Sequence, residues 1–147
     1  MRIFEPAGLP PSSDPILDLL RRAKTIAVVG LSSNPARPSF EVASYLQSSG
    51  YRILPVNPNE REVLGVRAVA RLEDIAEPVD IVDVFRRSED VPPIAASAIA
   101  IVAHAFWLQL GIENTPACEQ CRASGILSVE DSCLLVEHKK RRRLLAP

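Results

Sequence analysis

Thr25-Ile-Ala-Val-Val-Gly30-Leu-Ser-Ser-Asn-Pro35-Ala-Arg37-Pro38-Ser39-Phe40 is the stretch that decides the fold. The run Ile26 to Val29 is apolar without alternation and is stopped by glycine. Such a run predicts a strand covered on both faces, which implies a parallel sheet. From Pro38 through Ser49, Phe40, Val42, Ala43, Tyr45 and Leu46 recur at helical spacing, with Pro38 or Ser39 opening the helix and Gly50 closing it. Tyr51 to Val56 follows at once as a second strand. Strand, turn, helix and strand within about 30 residues make a βαβ crossover.

The same pattern continues downstream. Pro78 to Phe85 reads as a strand, Asp90 to Ala103 as a helix, and Ala105 to Gln109 as a strand. Glu113 to Ser124 is a further helix closed by Gly125, and Ile126 to Val129 a fifth strand. Leu64 to Ala76 forms a short extra segment with one helical turn around Leu72 to Ile75. Upstream, Asp14 caps a helix that begins at Pro15, buries Ile16, Leu17, Leu19 and Leu20, and ends at Ala23 and Lys24. The division expected is an irregular arm over 1–13, one domain over 14–138 and a basic tail over 139–147. The fold class expected is α/β: Rossmann-like and doubly wound, a mainly parallel sheet of about five strands with helices on both faces.

Composition narrows the partners. Across 147 residues, 17 Lys+Arg balance 18 Asp+Glu for a net charge of -1, so no global field draws the chain to nucleic acid or anionic lipid. The cationic run Lys139 to Arg143 lacks interleaved aromatics and reads as a solvated tail, with a helical conformation left open. The longest clean apolar runs, Ile26 to Val29 and Ala98 to Ala103, fall far short of the roughly 18 residues that a membrane span needs. The first residues contain no apolar signal-peptide core. A cytoplasmic address is therefore expected by default, and three cysteines, an odd number, then favour reduced thiols. The partner expected is therefore a small molecule, with neither nucleic acid nor membrane involved.

In doubly wound sheets ligands lie beyond the carboxyl ends of the strands. After the first strand, Gly30, Leu31, Ser32, Asn34, Arg37 and Ser39 belong to a turn that delivers the chain into a helix N-terminus. Free N–H groups, the helix dipole and the Arg37 guanidinium suit a phosphate. The turn is not a G-x-G-x-x-G fingerprint, because Ser32 and Asn34 follow Gly30 and prolines shape the loop. After the second strand, Asn57-Pro58 replaces the acidic residue that holds the ribose of NAD, which favours NADP or coenzyme A. After the third, Phe85-Arg86-Arg87 sets two guanidinium groups beside an aromatic ring. After the fourth, Trp107 and Gln109 share a face, Trp107 expected in the core and Gln109 near the site.

Taken together, Ile26-Ala-Val-Val-Gly-Leu-Ser-x-Asn-Pro-x-Arg-Pro-Ser39, Pro55-Val-Asn-Pro58, Val79-Asp-Ile-Val-Asp-Val-Phe-Arg-Arg87, Trp107-Leu-Gln-Leu-Gly111 and Asp131-x-Cys133 resemble the single-domain CoA-binding proteins. That family is similar to the N-terminal domain of the succinyl-CoA synthetase α subunit. The resemblance runs from about Thr25 to His138. It implies a Rossmann-like domain binding coenzyme A, with the Gly30 to Ser39 loop on the phosphates and Asn57 and Pro58 beside the adenosine. Phe85, Arg86 and Arg87 would line the path of the pyrophosphate or pantetheine. Three positions depart from the family pattern: Val69-Ala70 stands where Tyr-Pro is common, Val102 where glycine is usual and Ser132 where arginine is usual. Ligase activity does not come with the resemblance, because the phosphorylated histidine domain and the nucleotide-grasping subunit of the synthetase have no counterpart in these residues.

No catalytic constellation is readable. Cys118-x-x-Cys121 lies inside a predicted helix, away from the dipole that activates a thiol, and a zinc site would also require Cys133 and His138 to converge. Both are expected as packing residues and no metal site is expected. Cys133 alone could pair with the thiol of CoA. His104 is expected packed between a helix and a strand, and His138 solvated in the basic tail. The reading is a coenzyme A or acyl-CoA binding module without catalysis of its own. Two alternatives stand beside it: an NADP-binding oxidoreductase or redox sensor, and a regulatory or interaction subunit with a vestigial nucleotide pocket.

Overall fold

The structure, a computed structural model, describes residues 1–146. Five helices and a central sheet form it. In chain order these are β1 (Arg2–Phe4), α1 (Pro15–Arg22), β2 (Thr25–Val29), α2 (Pro38–Ser48), β3 (Arg52–Val56), β4 (Glu62–Val63), β5 (Val66–Arg67), β6 (Ile81–Val84), α3 (Val91–Ala100), β7 (Ala105–Leu108), α4 (Thr115–Ala123), β8 (Leu127–Glu130) and α5 (Leu134–Leu145). The six-stranded sheet has the order β1-β8-β7-β6-β2-β3, and β4 and β5 form a separate two-stranded ribbon. Every pair in the main sheet is parallel except β1 with β8.

The parallel core follows from the apolar runs. Ile26 to Val29 and Ile81 to Val84 are buried throughout, because helices cover both faces. Ala27, Val29, Val82, Val84, Phe106 and Leu108 pack with residues of α3 and α4 on one face. Ile26, Val28, Ile81, Ala105, Trp107 and Val129 pack with residues of α1, α2 and α5 on the other. Local chemistry sets the helix starts. The Asp14 carboxylate accepts from the Leu17 N–H at 3.1 Å and Pro15 opens α1, while the Asn114 side chain accepts from the Ala117 N–H at 3.1 Å and opens α4.

Several expectations are corrected. The mainly parallel α/β sheet stands as expected, but Arg2–Phe4, placed in an irregular arm, adds a sixth strand that pairs antiparallel with Ser128 to Glu130. The basic run is solvent-exposed as expected at Lys139, Lys140, Arg142 and Arg143, but it is not detached from the domain. It lies on α5, which begins at Leu134 and packs against α1 and α2. Arg141 on that helix pairs with Asp14 at 2.9 Å and with Glu137 at 3.0 Å. The two histidines exchange places. His138 is buried, with Nδ1 2.7 Å from the Tyr45 hydroxyl, because α5 carries it inward; the His104 side chain is 69% exposed. Helix α3 ends at Ala100, earlier than the Ala103 expected, and Val102 turns the chain with a φ of 56°.

Candidate site at the carboxyl edge of the sheet

The switch point lies between β2, whose crossover leads outward to β3, and β6, which lies on the other side of β2. Gly30 ends β2 with a φ of 86°, a left-handed conformation, and a Cβ there would collide with the Phe85 carbonyl oxygen and lie 3.3 Å from Arg86 Nε. Glycine is therefore required for space as well as for backbone conformation. The contact sets the turn after β2 directly against the turn after β6. The Gly30 N–H donates to the Val56 carbonyl at 2.8 Å and the Phe85 N–H to the Val29 carbonyl at 2.8 Å, so the ends of β3, β2 and β6 are tied in a row.

The loop from Gly30 to Ser39 is internally braced. The Ser32 N–H donates to the buried Ser39 hydroxyl at 3.1 Å, the Asn34 N–H to the Ser32 hydroxyl at 3.0 Å, and the Ala36 N–H to the Asn34 side-chain oxygen at 3.0 Å. These local side-chain bonds supply the turn that glycines supply in other nucleotide loops. Helix α2 then starts with Arg37 at the cap, Pro38 in its first turn and no side-chain capping bond. Arg37 is exposed at that positive helix end and has no carboxylate partner among the described residues. Arg86, half-buried beside Gly30, has none either.

The remaining candidates divide. Asn57 stands at the site but its side chain is spent on structure: the amide donates to the Leu31 carbonyl at 3.0 Å, and its oxygen accepts from the Asn59 N–H at 3.0 Å. Pro58 is exposed next to it and Phe85 is half-buried. Leu31 is fully buried, so only its backbone faces the site. Arg87 turns away to Glu89 and Asp90, at 3.3 Å from each. Gln109 is buried with its side-chain oxygen accepting from the Leu134 N–H at 3.1 Å, which caps α5. Trp107 is fully buried, as its strand position suggested, and its indole N–H donates to the Ser132 carbonyl at 2.8 Å. Val69, where the family pattern has tyrosine, carries a backbone bridge to β3: its N–H donates to the Pro55 carbonyl at 3.0 Å and its carbonyl accepts from the Asn57 N–H at 2.8 Å.

Two acidic residues that were not among the expected site residues bear on it: Glu60, which the sequence reading missed, and Asp83, which it read only as one of two carboxylates alternating with Asp80 in a strand. The Glu60 carboxylate accepts from the Ser33 N–H at 2.7 Å and so already holds one amide of the loop. It lies three residues beyond Asn57, and the asparagine-led turn of Asn57 to Glu60 is the sequence feature that would have suggested its return to the site. Asp83 in β6 is fully buried between Val28 and Trp107 in the register, with neither carboxylate oxygen hydrogen-bonded. Burial without a partner pushes its pKa well above the ordinary carboxylate range and holds it neutral.

The cysteines do not assemble. Cys118 and Cys121 pack in the cluster under α3 and α4, whereas Cys133 and His138 belong to elements on the opposite face of the sheet. Burial, reinforced by Glu130, pushes the Cys118 thiol up to about 12, and burial pushes the Cys121 thiol up to about 11. Both are protonated packing residues at neutral pH. Cys133 is the half-buried cap residue of α5. Among the described residues no helix is long and apolar enough to cross a membrane.

Comparison with known proteins identifies the family and the fold. A family model described as a CoA binding domain matches residues 24–139. The Bacillus subtilis protein YneT is 44% identical over 128 residues, covering 87% of this chain and 95% of that one. A solved Thermus thermophilus structure, cell-free ID.343, superposes with a TM-score of 0.81 at 43% identity, over 84% of this chain and 93% of that one. The ADP-forming acetate–CoA ligase II of Archaeoglobus fulgidus is 31% identical over 75 residues, half of this chain but 11% of the ligase.

Proposed function

Because the chain belongs to the CoA binding domain family, we propose that it is a coenzyme A or acyl-CoA binding module whose site is the carboxyl edge of the sheet. The observation that carries the site assignment is the contact of Gly30 with Phe85 and Arg86, which brings the α2 loop and a cation without a carboxylate partner to one place. In this reading the phosphates lie against the loop and the N-terminus of α2. Arg37 and Arg86 supply charge, and Asn57 acts as a brace rather than a ligand. Phe85 and Pro58 offer apolar surface to the adenosine or the pantetheine arm. The role is binding and orientation of the coenzyme, without bond-making by this chain; the buried Cys118 and Cys121 thiols are too weakly acidic to supply a thiolate.

Isothermal titration with coenzyme A tests both parts. Each charge-assisted contact to a phosphate contributes about 1.5–3 kcal/mol. The R37A/R86A variant should therefore lose at least about 100-fold in affinity, whereas R87A, whose guanidinium is already paired, should stay within about twofold. Undiminished affinity in R37A/R86A would remove the site assignment. Absence of coenzyme A binding by the unaltered chain would remove the functional reading itself.

A further inference from the structure

A cavity lies at the opposite edge of the sheet from the site above. It measures about 760 Å³ and is enclosed by the N-terminal arm, α1 and the amino ends of the strands. That volume is in the range of small-molecule sites. Leu9, Leu19, Ile99 and Ile126 contribute apolar wall. The cavity is independent of the Gly30 loop, none of whose residues borders it.

Its polar groups have one bias. Glu5, Asp18 and Asp80 border it against a single guanidinium, Arg22, which forms no ion pair among the described residues. The chain leaves α3 through Ile101 and Val102 and leaves α4 through Ser124 and Gly125, and Val102, Ser124 and Gly125 all border the cavity. Helix C-termini favour cations. The fixed element is the pair Asp80–His104. One Asp80 oxygen accepts from the backbone N–H groups of Lys24 at 2.7 Å and Thr25 at 3.0 Å, and the other lies 3.0 Å from His104 Nδ1. Burial raises the Asp80 pKa, but those N–H groups, His104 and the Thr25 hydroxyl outweigh it and hold the carboxyl below its ordinary value. With the His104 Nδ1–H donating to the Asp80 carboxylate, Nε2 is left as the free ring nitrogen of a residue that lines the cavity.

We infer that this cavity is a second ligand site, for a small molecule that carries a protonated amine on an apolar or aromatic body. The body fills the wall left by the arm, α1 and the ends of α3 and α4. The ammonium donates to His104 Nε2 and gains from the carboxylates and helix ends. Arg22 opposes it. The unpaired guanidinium therefore limits how tightly an amine is held.

Fluorescence titration of the full chain with dansylcadaverine, a naphthalene-bearing primary amine, tests this. Saturable 1:1 binding is expected, displaced by tryptamine and not by indole-3-propionate, which has a similar body with the opposite charge. H104A should weaken dansylcadaverine binding about fivefold, the size of one lost hydrogen bond. R22A should tighten it about threefold, a gain that misfolding cannot produce. The exposed S124W substitution should block the mouth, and R37A/R86A at the other edge should leave the titration unchanged. Equal displacement by the acid, a lack of saturation, or affinity unmoved by both H104A and R22A would overturn the inference.

Discussion

The two edges of the sheet are built from the same elements and present opposite electrostatics. In a parallel α/β sheet the helices run against the strands, so the carboxyl edge collects helix N-termini and the amino edge collects helix C-termini. Here the carboxyl edge adds Arg37 and Arg86, neither of them paired with a carboxylate among the described residues and opposed on the loop by Glu60, and the amino edge adds Glu5, Asp18 and Asp80, opposed by Arg22. A net charge of -1 conceals this polarity. Total charge excludes a global field, but it carries no information about how charge is sorted between the ends of the strands. The edges also differ in how they turn the chain. Gly30 adopts a φ of 86° where a side chain would collide with Phe85, whereas Val102 adopts a φ of 56° as a residue 76% exposed. The first conformation needs glycine; the second tolerates valine at a cost of about 1 kcal/mol.

The most damaging way to break the contrast is at Gly30. G30A adds a methyl group that meets the Phe85 carbonyl, at a backbone conformation that alanine disfavours. Strain of that kind costs about 1–3 kcal/mol before the collision is counted. Chemical denaturation should therefore register a loss of at least about 3 kcal/mol, and coenzyme A binding should disappear because β2 and β6 move apart at the switch point. If G30A folds, the amine titration at the amino edge should persist, since no cavity residue touches Gly30. Unchanged stability and coenzyme A binding would show that the close approach of the two turns is unnecessary.

Asp83 tests the carboxyl edge from beneath, one residue from the end of β6. Its folded pKa lies above the unfolded value of about 3.9, so the native state binds more protons than the unfolded chain above that pH. The stability it contributes is fully present below about pH 3.9 and is lost as pH rises toward the folded pKa. D83V removes the unpaired carboxyl while keeping a β-branched, strand-compatible shape, and it should raise stability at pH 7 by about 1–3 kcal/mol. The gain should shrink as pH falls toward 4, as urea melts across that range would record. Coenzyme A affinity should not fall, because a neutral Asp83 places no charge beneath the phosphates. Coincident melts at pH 7 would mean that the carboxyl has found a partner or a water path.

What the sequence made legible follows from how information is stored in each element. Strands β2 and β6 to β8 were readable because burial on both faces writes an apolar run, and α1 and α2 because Asp14, Pro15 and Pro38 act locally. Strand β1 was not readable: Arg-Ile-Phe is three residues at an edge and acquires meaning only from β8. Helix α5 looked like a tail because its inward face includes Arg141, whose partners Asp14 and Glu137 are supplied largely by the fold. Within the site, residue types were legible and their commitments were not. Arg86 and Arg87 are chemically identical, yet the chain direction after β6 brings one to Gly30 and the other to Glu89 and Asp90. Gln109 sits at the expected strand end but is taken by the start of α5.

The smallest effect concerns Glu60, the one acidic side chain bonded to the loop of the cationic edge among the described residues. Its bond to the Ser33 N–H has the chemistry that a phosphate oxygen would have, so in the proposed site the carboxylate competes with the ligand for one donor. E60Q keeps an acceptor oxygen at similar length and removes the charge, leaving the loop brace of Ser32, Asn34 and Ser39 untouched. Coenzyme A should bind E60Q about two- to fivefold more tightly, through a slower dissociation rate, while the amine titration at the opposite edge stays constant. A weaker affinity in E60Q would reverse the assignment: the carboxylate would then be holding the loop in its binding conformation. The contrast between the edges would rest on Arg37 and Arg86 alone.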